Sequence, residues 1–212
     1  MSSAPDFWPL MPNVDVGNTP VPMFPLPGVF FFPGQLLPLH VFEPRYRQMI
    51  EDSLDGPGRL VIATVEERHR NALSGKPDVI PVAGLGEIAR HERTDDGRFL
   101  IWLCGLCRVR IEEVESDRLY RRVRVMPLAE IGATTHEDRE MRERLVAQIE
   151  RCAGSKMPPS AEVPLGNLAD VLAQVLCLPE AVMAAIHGET DMAERARRAL
   201  AAADRFPPRK PG

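Results

Sequence analysis

The spacing of apolar residues changes once along this chain of 212 residues, close to Ile131. Before that point, apolar and polar residues alternate in short runs, which is typical of β-strands with one buried face. After it, apolar residues recur every three or four positions, which is typical of amphipathic helices. The sequence therefore predicts an α+β fold, in which a β-rich lobe is followed by a helical lobe.

The β-rich lobe is predicted to contain many short strands and one helix. Turns that carry glycine or proline separate the strands, which favours a small barrel over an open parallel sheet. The first strand, at 21–26, has the prolines of an edge strand. Glu43-Pro44 marks the start of a helix, and Asp95-Asp-Gly97 marks a hairpin turn. The other strands are predicted at 37–42, 60–65, 79–88, 98–103, 109–114 and 123–126.

The same change of pattern predicts the domain limits. Residues 21–130 are expected to form the β-rich lobe, and residues 131–204 the helical lobe. A capping box at 134–137 precedes the first of four helices, and Gly188 is expected to end the third. Ten of the 21 prolines lie at or before Pro44, so residues 1–20 are expected to be an extended lead-in. Residues 205–212 are expected to be a disordered tail for the same reason.

Composition indicates a cytoplasmic globular protein. A formal net charge of −4 gives no general attraction to nucleic acid or to anionic lipid. The four cysteines are too few and too scattered for a secreted disulfide framework. A signal peptide needs a basic region near its start, but no lysine or arginine precedes Arg45. No uninterrupted apolar run approaches the roughly 20 residues of a membrane helix.

Several blocks of this sequence resemble the N-terminal domain of Lon proteases. The opening blocks are 21–28, 32–34 and 37–46, and later blocks lie at 82–88, 96–98 and 105–108. The resemblance extends over about 21–200. The signature positions in the opening blocks are Phe24, Pro25, Leu26, Pro33, Gly34, Glu43, Arg45 and Tyr46.

This resemblance implies a PUA-like β-barrel followed by a C-terminal helical bundle. It also implies a module that recognises unfolded or apolar polypeptide segments, as an adaptor or weak holdase, with a protease or chaperone among its partners. Backbone chemistry explains the signature equally well, because Gly34 permits a tight turn and Glu43 can cap the helix or pair with Arg45. The residues expected to fill the core beside them are Leu39, Val41 and Tyr46.

Full-length Lon also carries an ATPase and a Ser-Lys protease, and neither motif is complete here. A P-loop needs two glycines before its lysine, but Arg70 stands where the first glycine belongs, and Pro77 follows Gly75-Lys76. Ser155-Lys156 is an adjacent pair in a predicted loop, with nothing to lower the pKa of the lysine by burial. The sequence therefore predicts a protein that is not an enzyme and that binds no cofactor.

Cys104-Gly-Leu-Cys107 is the one pair of cysteines at a metal-binding spacing. A second C-x-x-C is missing, and residues three apart on a continuous strand point to opposite faces. Two buried or half-buried thiols are predicted, although a turn at Gly105-Leu106 would leave metal or redox use open. None of the five histidines lies at ligand spacing from another, so no metal site is predicted; they are His40, His69, His91, His136 and His187.

Phe30, Phe31 and Phe32 form the candidate polypeptide-binding site. Three consecutive rings on an extended segment cannot all point into one core, because alternate side chains face opposite ways. At least one ring is therefore expected to be partly exposed, or covered by the lead-in or the helical lobe. An exposed aromatic patch usually marks an interaction site. The alternative is that the outer rings hold the two lobes together.

A basic stripe gives the alternative function, which is RNA binding by a PUA-like protein. Arg108 and Arg110 are expected to face outward while Val109 and Ile111 face inward. Arg122 and Arg124 repeat the pattern nearby. Acidic residues lie beside these arginines and no aromatic platform interleaves them, so a solvated, salt-bridged face is the favoured interpretation.

Overall fold

The structure is a computed structural model that describes residues 17–69, 75–132, 135–154 and 163–208, with the backbone alone for 135–138. The chain divides into two compact units between Leu128 and Ala129. The first contains the strands β1 Val21–Pro27, β2 Leu36–Val41, β3 Arg59–Val65, β4 Val82–Arg93, β5 Phe99–Val114 and β6 Arg121–Pro127, with helix α1 Pro44–Leu54. The second contains the helices α2 Thr135–Ala153, α3 Leu165–Val175, α4 Glu180–His187 and α5 Met192–Ala203.

One mixed sheet accounts for the first unit. Its strand order is β2-β5-β4-β3-β1-β6, and β6 also pairs with β5. Strand β1 runs parallel to β3, and every other pair is antiparallel. The long strand β5 serves two partners at one edge: its first part pairs with β2 and its last part with β6. Strand pairing therefore runs from β5 through β4, β3, β1 and β6 and back to β5.

Strand β5 corrects the predicted pair of strands at 98–103 and 109–114, because it continues through Cys104-Gly-Leu-Cys107. The glycine between the two predicted strands suggested a break. It lies instead at a register shift, where Cys107 pairs with Leu85 and Gly105 pairs with Gly86. One extra residue on β5 is absorbed as a bulge, and the strand does not end there.

Strand β1 is not the edge strand that its prolines predicted, because it lies between β3 and β6. Its two partners meet it over different stretches, Val21 to Met23 for β6 and Met23 to Pro27 for β3. Each proline of β1 therefore has a neighbouring strand on only one side. Each proline is therefore placed as it would be on an edge strand, where the missing amide donor costs little.

The strand-to-helix corner forms as the sequence predicted. Helix α1 begins at Pro44, and Glu43 occupies its N-cap position without a side-chain hydrogen bond to the helix. The Glu43 carboxylate pairs instead with Arg45 at 2.9 Å. Val41 and Tyr46 are buried, and the half-buried Leu39 packs against the same cluster. The hairpin turn is also confirmed: Gly97 has a φ of 78°, and Thr94 donates its amide to Arg98.

The second unit contains the four helices that the 3.6-residue period predicted. Leu145 and Ile149 are buried on α2, as are Leu168 and Leu172 on α3. The capping box predicted at 134–137 lies outside the residues whose side chains are described. Asp191 caps α5 by accepting a hydrogen bond from the amide of Glu194, and Gly188 ends α4.

A buried arginine on α5 connects three parts of this unit. Arg195 is fully buried, and its Nε lies 3.3 Å from a carboxylate oxygen of Asp170 on α3. Its Nη2 donates to both carboxylate oxygens of Glu130 at 3.0 Å, and its Nη1 donates to the carbonyl of Glu189. A Cβ at Gly166 would lie 2.0 Å from the guanidinium, so only glycine leaves room there. No local sequence pattern indicated this cluster, since charged residues are seldom fully buried.

The chain ends are partly described. Residues 1–16 and 209–212 lie outside the described residues. The tail predicted at 205–212 is paired at its start, because the amide of Cys177 donates to the carbonyl of Pro207 and Leu176 bridges Pro208. Proline keeps its carbonyl acceptor, so a proline-rich segment still bonds to a neighbouring backbone. None of the described helices has the length and apolar character needed to cross a bilayer.

Candidate functional site

The segment that carries the three phenylalanines crosses the sheet over Gly84, Gly86 and Gly105. A Cβ at Gly84 would lie 2.3 Å from the carbonyl oxygen of Phe31, and one at Gly105 would lie 2.1 Å from that of Phe32. Gly86 leaves room for the Phe31 ring in the same way. The amide of Gly34 donates to Gly105, and the amide of Gly105 donates to Gln35. The glycines of strands β4 and β5 therefore allow the backbone of this segment to touch the sheet.

This packing buries all three rings, so the expected exposed aromatic patch is not present. Phe31 and Phe32 are each 1% exposed and Phe30 is 9% exposed. Alternate side chains face opposite ways only where the segment is extended. The segment instead turns at Phe32, whose carbonyl accepts from the amide of Gln35, so the faces do not simply alternate. The three rings are therefore core residues in this structure.

The basic stripe is also not assembled as predicted. Arg108 is buried, with its guanidinium carbon 5.7 Å from the centre of the Phe32 ring. It pairs in register with Gly84, under the phenylalanine segment, and this cover explains its burial. Arg110 and Arg124 are exposed as expected, and Arg124 pairs with Glu112 at 3.0 Å. Arg122 donates to the carbonyl of Pro20.

A different apolar surface lies on β2 and β5, and we call it the outer face. Because side chains alternate along a strand, Leu37, Leu39 and Val41 turn toward the core and the residues between them turn outward. Pro38 pairs with Trp102 and His40 with Leu100, so outward residues of the two strands are neighbours. The outer face consists of Leu36, Pro38 and His40 on β2, Phe42 just after it, and Leu100, Trp102 and Cys104 on β5.

The outer face exposes large apolar side chains to solvent. Leu36 is 56% exposed and Phe42 is 58% exposed, and both are among the most exposed large apolar residues described. The rings of His40 and Phe42 lie 5.9 Å apart. Arg90 of the neighbouring strand β4 stacks on Trp102, with 4.8 Å between the guanidinium carbon and the ring centre. An apolar strip with a charged border is typical of an interaction surface.

Strand β2 also offers backbone groups, because no other strand in the described part of the chain pairs with its second edge. The carbonyl of Gln35 accepts from Gly105 of β5. Backbone groups alternate in direction along a strand, so those of Leu37, Leu39 and Val41 point to β5. Those of Leu36, Pro38 and His40 therefore point away from it. Pro38 has no donor, which limits indiscriminate pairing at this edge.

The two cysteines of the C-x-x-C are both half-buried strand residues, as predicted. Burial raises the pKa of the Cys104 thiol, and the carboxylate of Glu87 acts in the same direction. A thiol with a raised pKa is a poor nucleophile and a poor metal ligand at neutral pH. Gly105, between the cysteines, is explained by the close approach of Phe32.

The sequence contained the signal for the outer face, although our prediction did not use it. The run 36–42 alternates strictly in the structure, so placing Leu39 and Val41 in the core already places Leu36, His40 and Phe42 outside. Every residue of the run except His40 and Pro38 is strongly apolar, which normally indicates a strand buried on both faces. Leu36 and Phe42 remain exposed instead, and exposed large apolar residues on one face are informative.

Comparison with known proteins gives a consistent family. The family model of the ATP-dependent protease La (LON) substrate-binding domain matches residues 20–204. The Lon protease of Syntrophomonas wolfei is 29% identical over 166 residues, which is 74% of this chain and 20% of that protein. The Lon protease of Desulforamulus reducens is 27% identical over 169 residues, with the same coverage. The chain thus spans about a fifth of these relatives.

Two solved structures share the fold. The Lon N-terminal domain protein of Xanthomonas campestris superposes with a TM-score of 0.63 at 21% identity, covering 86% of this chain and 98% of that one. The N-terminal domain of the Mycobacterium avium complex Lon protease gives 0.64 at 18% identity, covering 88% and 99%. The shared fold and the family match are consistent with each other. The chain belongs to the family of the ATP-dependent protease La (LON) substrate-binding domain.

Proposed function

We propose that this protein is a non-catalytic module that binds unfolded or apolar polypeptide segments along its outer face. The observation that carries this proposal is the coincidence of exposed apolar side chains and outward backbone groups on the single strand β2. An extended polypeptide needs both, since backbone bonds give affinity and side-chain contacts give selectivity. Membership of a substrate-binding family supports the same function.

The finer features of the proposal follow from the resemblance. The sheet corresponds to a PUA-like barrel over 21–130, and the helices to a C-terminal bundle over 131–204. The protein acts as an adaptor or weak holdase in the cytoplasm, beside a protease or chaperone that does the chemistry. Arg70 and Ser155-Lys156, on which the predicted absence of a P-loop and a Ser-Lys dyad depends, lie outside the described residues. The lack of catalysis is therefore part of the proposal, and we expect the pure protein to hydrolyse neither ATP nor peptide bonds.

The test replaces Leu36 or Phe42 with serine and measures binding of reduced, carboxymethylated α-lactalbumin, a permanently unfolded protein. Each variant should bind roughly tenfold more weakly, because removing a large apolar contact costs about 1–3 kcal/mol. Met126→Ser is the matched control, since Met126 is another exposed apolar residue on strand β6. It should bind as the parent protein does.

Stability and salt separate the proposal from its rivals. All three side chains are close to half exposed or more, so the melting temperatures should hardly change. Apolar binding should also persist in high salt, whereas contacts to nucleic acid phosphates would weaken steeply. Equal affinity of the parent protein and both outer-face variants would refute the assignment of this surface.

A further inference from the structure

A separate cleft of about 320 Å³ lies in the first unit, on other residues than the outer face. Its walls come from the end of β1, the first turn of α1 and the connection between β5 and β6. The β1 wall is apolar, with Pro25, Leu26 and Pro27, and the buried ring of Tyr46 contributes from α1. This volume is close to the smallest of known ligand sites, which favours a small guest.

An exposed leucine is held at the mouth of this cleft. Leu119 is 67% exposed, the largest exposure among the large apolar residues described. Its amide donates to the side chain of Gln48, and the next residue, Tyr120, donates its hydroxyl to Asp52 at 2.7 Å. Ser116 accepts from the amide of Arg118 and donates to the carbonyl of Tyr120. The connection is therefore fixed by its own bonds with an apolar side chain directed to solvent.

Cationic side chains outnumber carboxylates among the described residues that line the cleft. Arg121 is committed to Glu113, with contacts of 2.6 and 3.0 Å that lower the pKa of that carboxyl, and Arg45 is paired with Glu43. The other two cations are held more loosely. Lys76 lies 3.8 Å from Glu113, and Arg118 lies 3.5 Å from Asp52 and 3.8 Å from Asp117. Among the described lining residues, four are cationic and two are carboxylates: Arg45, Lys76, Arg118 and Arg121 against Glu43 and Glu113. Asp52 and Asp117, which pair with Arg118, are not among these lining residues.

We propose that this cleft binds a carboxylate attached to an apolar group, with the apolar group between Leu119 and the β1 wall and the carboxylate between Lys76 and Arg118. Both cations are exposed, and their ion pairs with described residues are 3.5 Å or longer, so both can turn toward a guest. A small amphiphilic acid and the C-terminal residue of a polypeptide share this chemistry. The site is independent of the outer face, which binds internal segments of a chain.

The test titrates the whole protein with 4-phenylbutyrate and with its uncharged amide, using calorimetry or chemical-shift changes. The acid should bind about tenfold more tightly than the amide, because charge-assisted hydrogen bonds form only with the carboxylate. The double variant Lys76→Gln, Arg118→Gln should remove that preference. Leu119→Ser should weaken the binding of both ligands. Arg110→Gln is the matched control, since Arg110 is an exposed arginine outside the cleft.

A second arm separates the two sources of the carboxylate. An apolar tripeptide is compared with a free and with an amidated C-terminus. A preference for the free carboxylate that exceeds that of the small acid identifies a polypeptide end, and the reverse identifies a small acid. Equal affinity for acids and amides, or no effect of the double variant, would overturn the proposal. The outer-face variant Leu36→Ser should bind 4-phenylbutyrate normally, so failure of one site is distinguishable from failure of the other.

Discussion

Replacing Gly105 with alanine is expected to destabilise the protein by about 3 kcal/mol or more, because a Cβ there would collide with the backbone of Phe32. That Cβ would lie 2.1 Å from a carbonyl oxygen, a clash that no side-chain rotation relieves. Moving the segment away would also stretch the two backbone hydrogen bonds that Gly105 makes with Gly34 and Gln35, each 2.8 Å long. Urea unfolding followed by far-UV circular dichroism measures the loss.

The control for this experiment is Gly132→Ala. An added Cβ at Gly132 meets no atom of the described residues within 4 Å, so this variant should be about as stable as the parent protein. Gly84→Ala should behave like Gly105→Ala, since its Cβ would lie 2.3 Å from the carbonyl oxygen of Phe31. If the Gly105 and Gly84 variants unfold at the same urea concentration as Gly132→Ala, the phenylalanine segment does not rest on the sheet as described.

Replacing Arg195 with methionine is the second large effect, with an expected loss of about 3–5 kcal/mol, because it removes the guanidinium that pairs with the buried carboxylate of Asp170. The Asp170 side chain is 3% exposed, so water does not replace the lost guanidinium. The Glu130 carboxylate and the carbonyl of Glu189 also lose the hydrogen bonds that Arg195 donates to them. Chemical unfolding of the variant, with amide exchange in α3 and α5, measures the effect.

Two further variants define the cause. Adding Asp170→Leu to Arg195→Met should recover much of the loss, since a buried ion pair replaced by apolar residues is often close to neutral. Arg197→Met is the matched control on the same helix; this arginine is exposed and pairs only with Glu194 among the described residues, so it should cost little. If the Arg195 and Arg197 variants are equally stable, the buried cluster contributes nothing.

The sequence predicted those elements that local chemistry determines. Proline at the start of α1, the Asp-Asp-Gly turn and the period of 3.6 after Ile131 all act over a few residues, so each placed its element correctly. The opening signature predicted the family for a similar reason. It combines prolines and glycines, whose backbone restrictions tolerate few exchanges.

What the sequence did not reveal depends on contacts between distant residues. Phe31 lies over Gly84, more than 50 positions later, so burial of the ring depends on a glycine that no local pattern connects to it. The burial of Arg108 follows from the same crossing. Arg195 is buried only because Asp170 and Glu130 converge on it in space. Alternation predicts which residues share a face, but not what covers that face.

Amide hydrogen exchange on β2 tests the central claim most directly. The protein alone and the protein saturated with unfolded carboxymethylated α-lactalbumin are compared, and the exchange of the outward amides of Leu36 and His40 is followed. If an extended polypeptide lies along β2, both amides should exchange more slowly in the complex, while those of strand β6 should be unchanged. If the amides of Leu36 and His40 exchange as fast in the complex as in the free protein, unfolded polypeptides bind elsewhere.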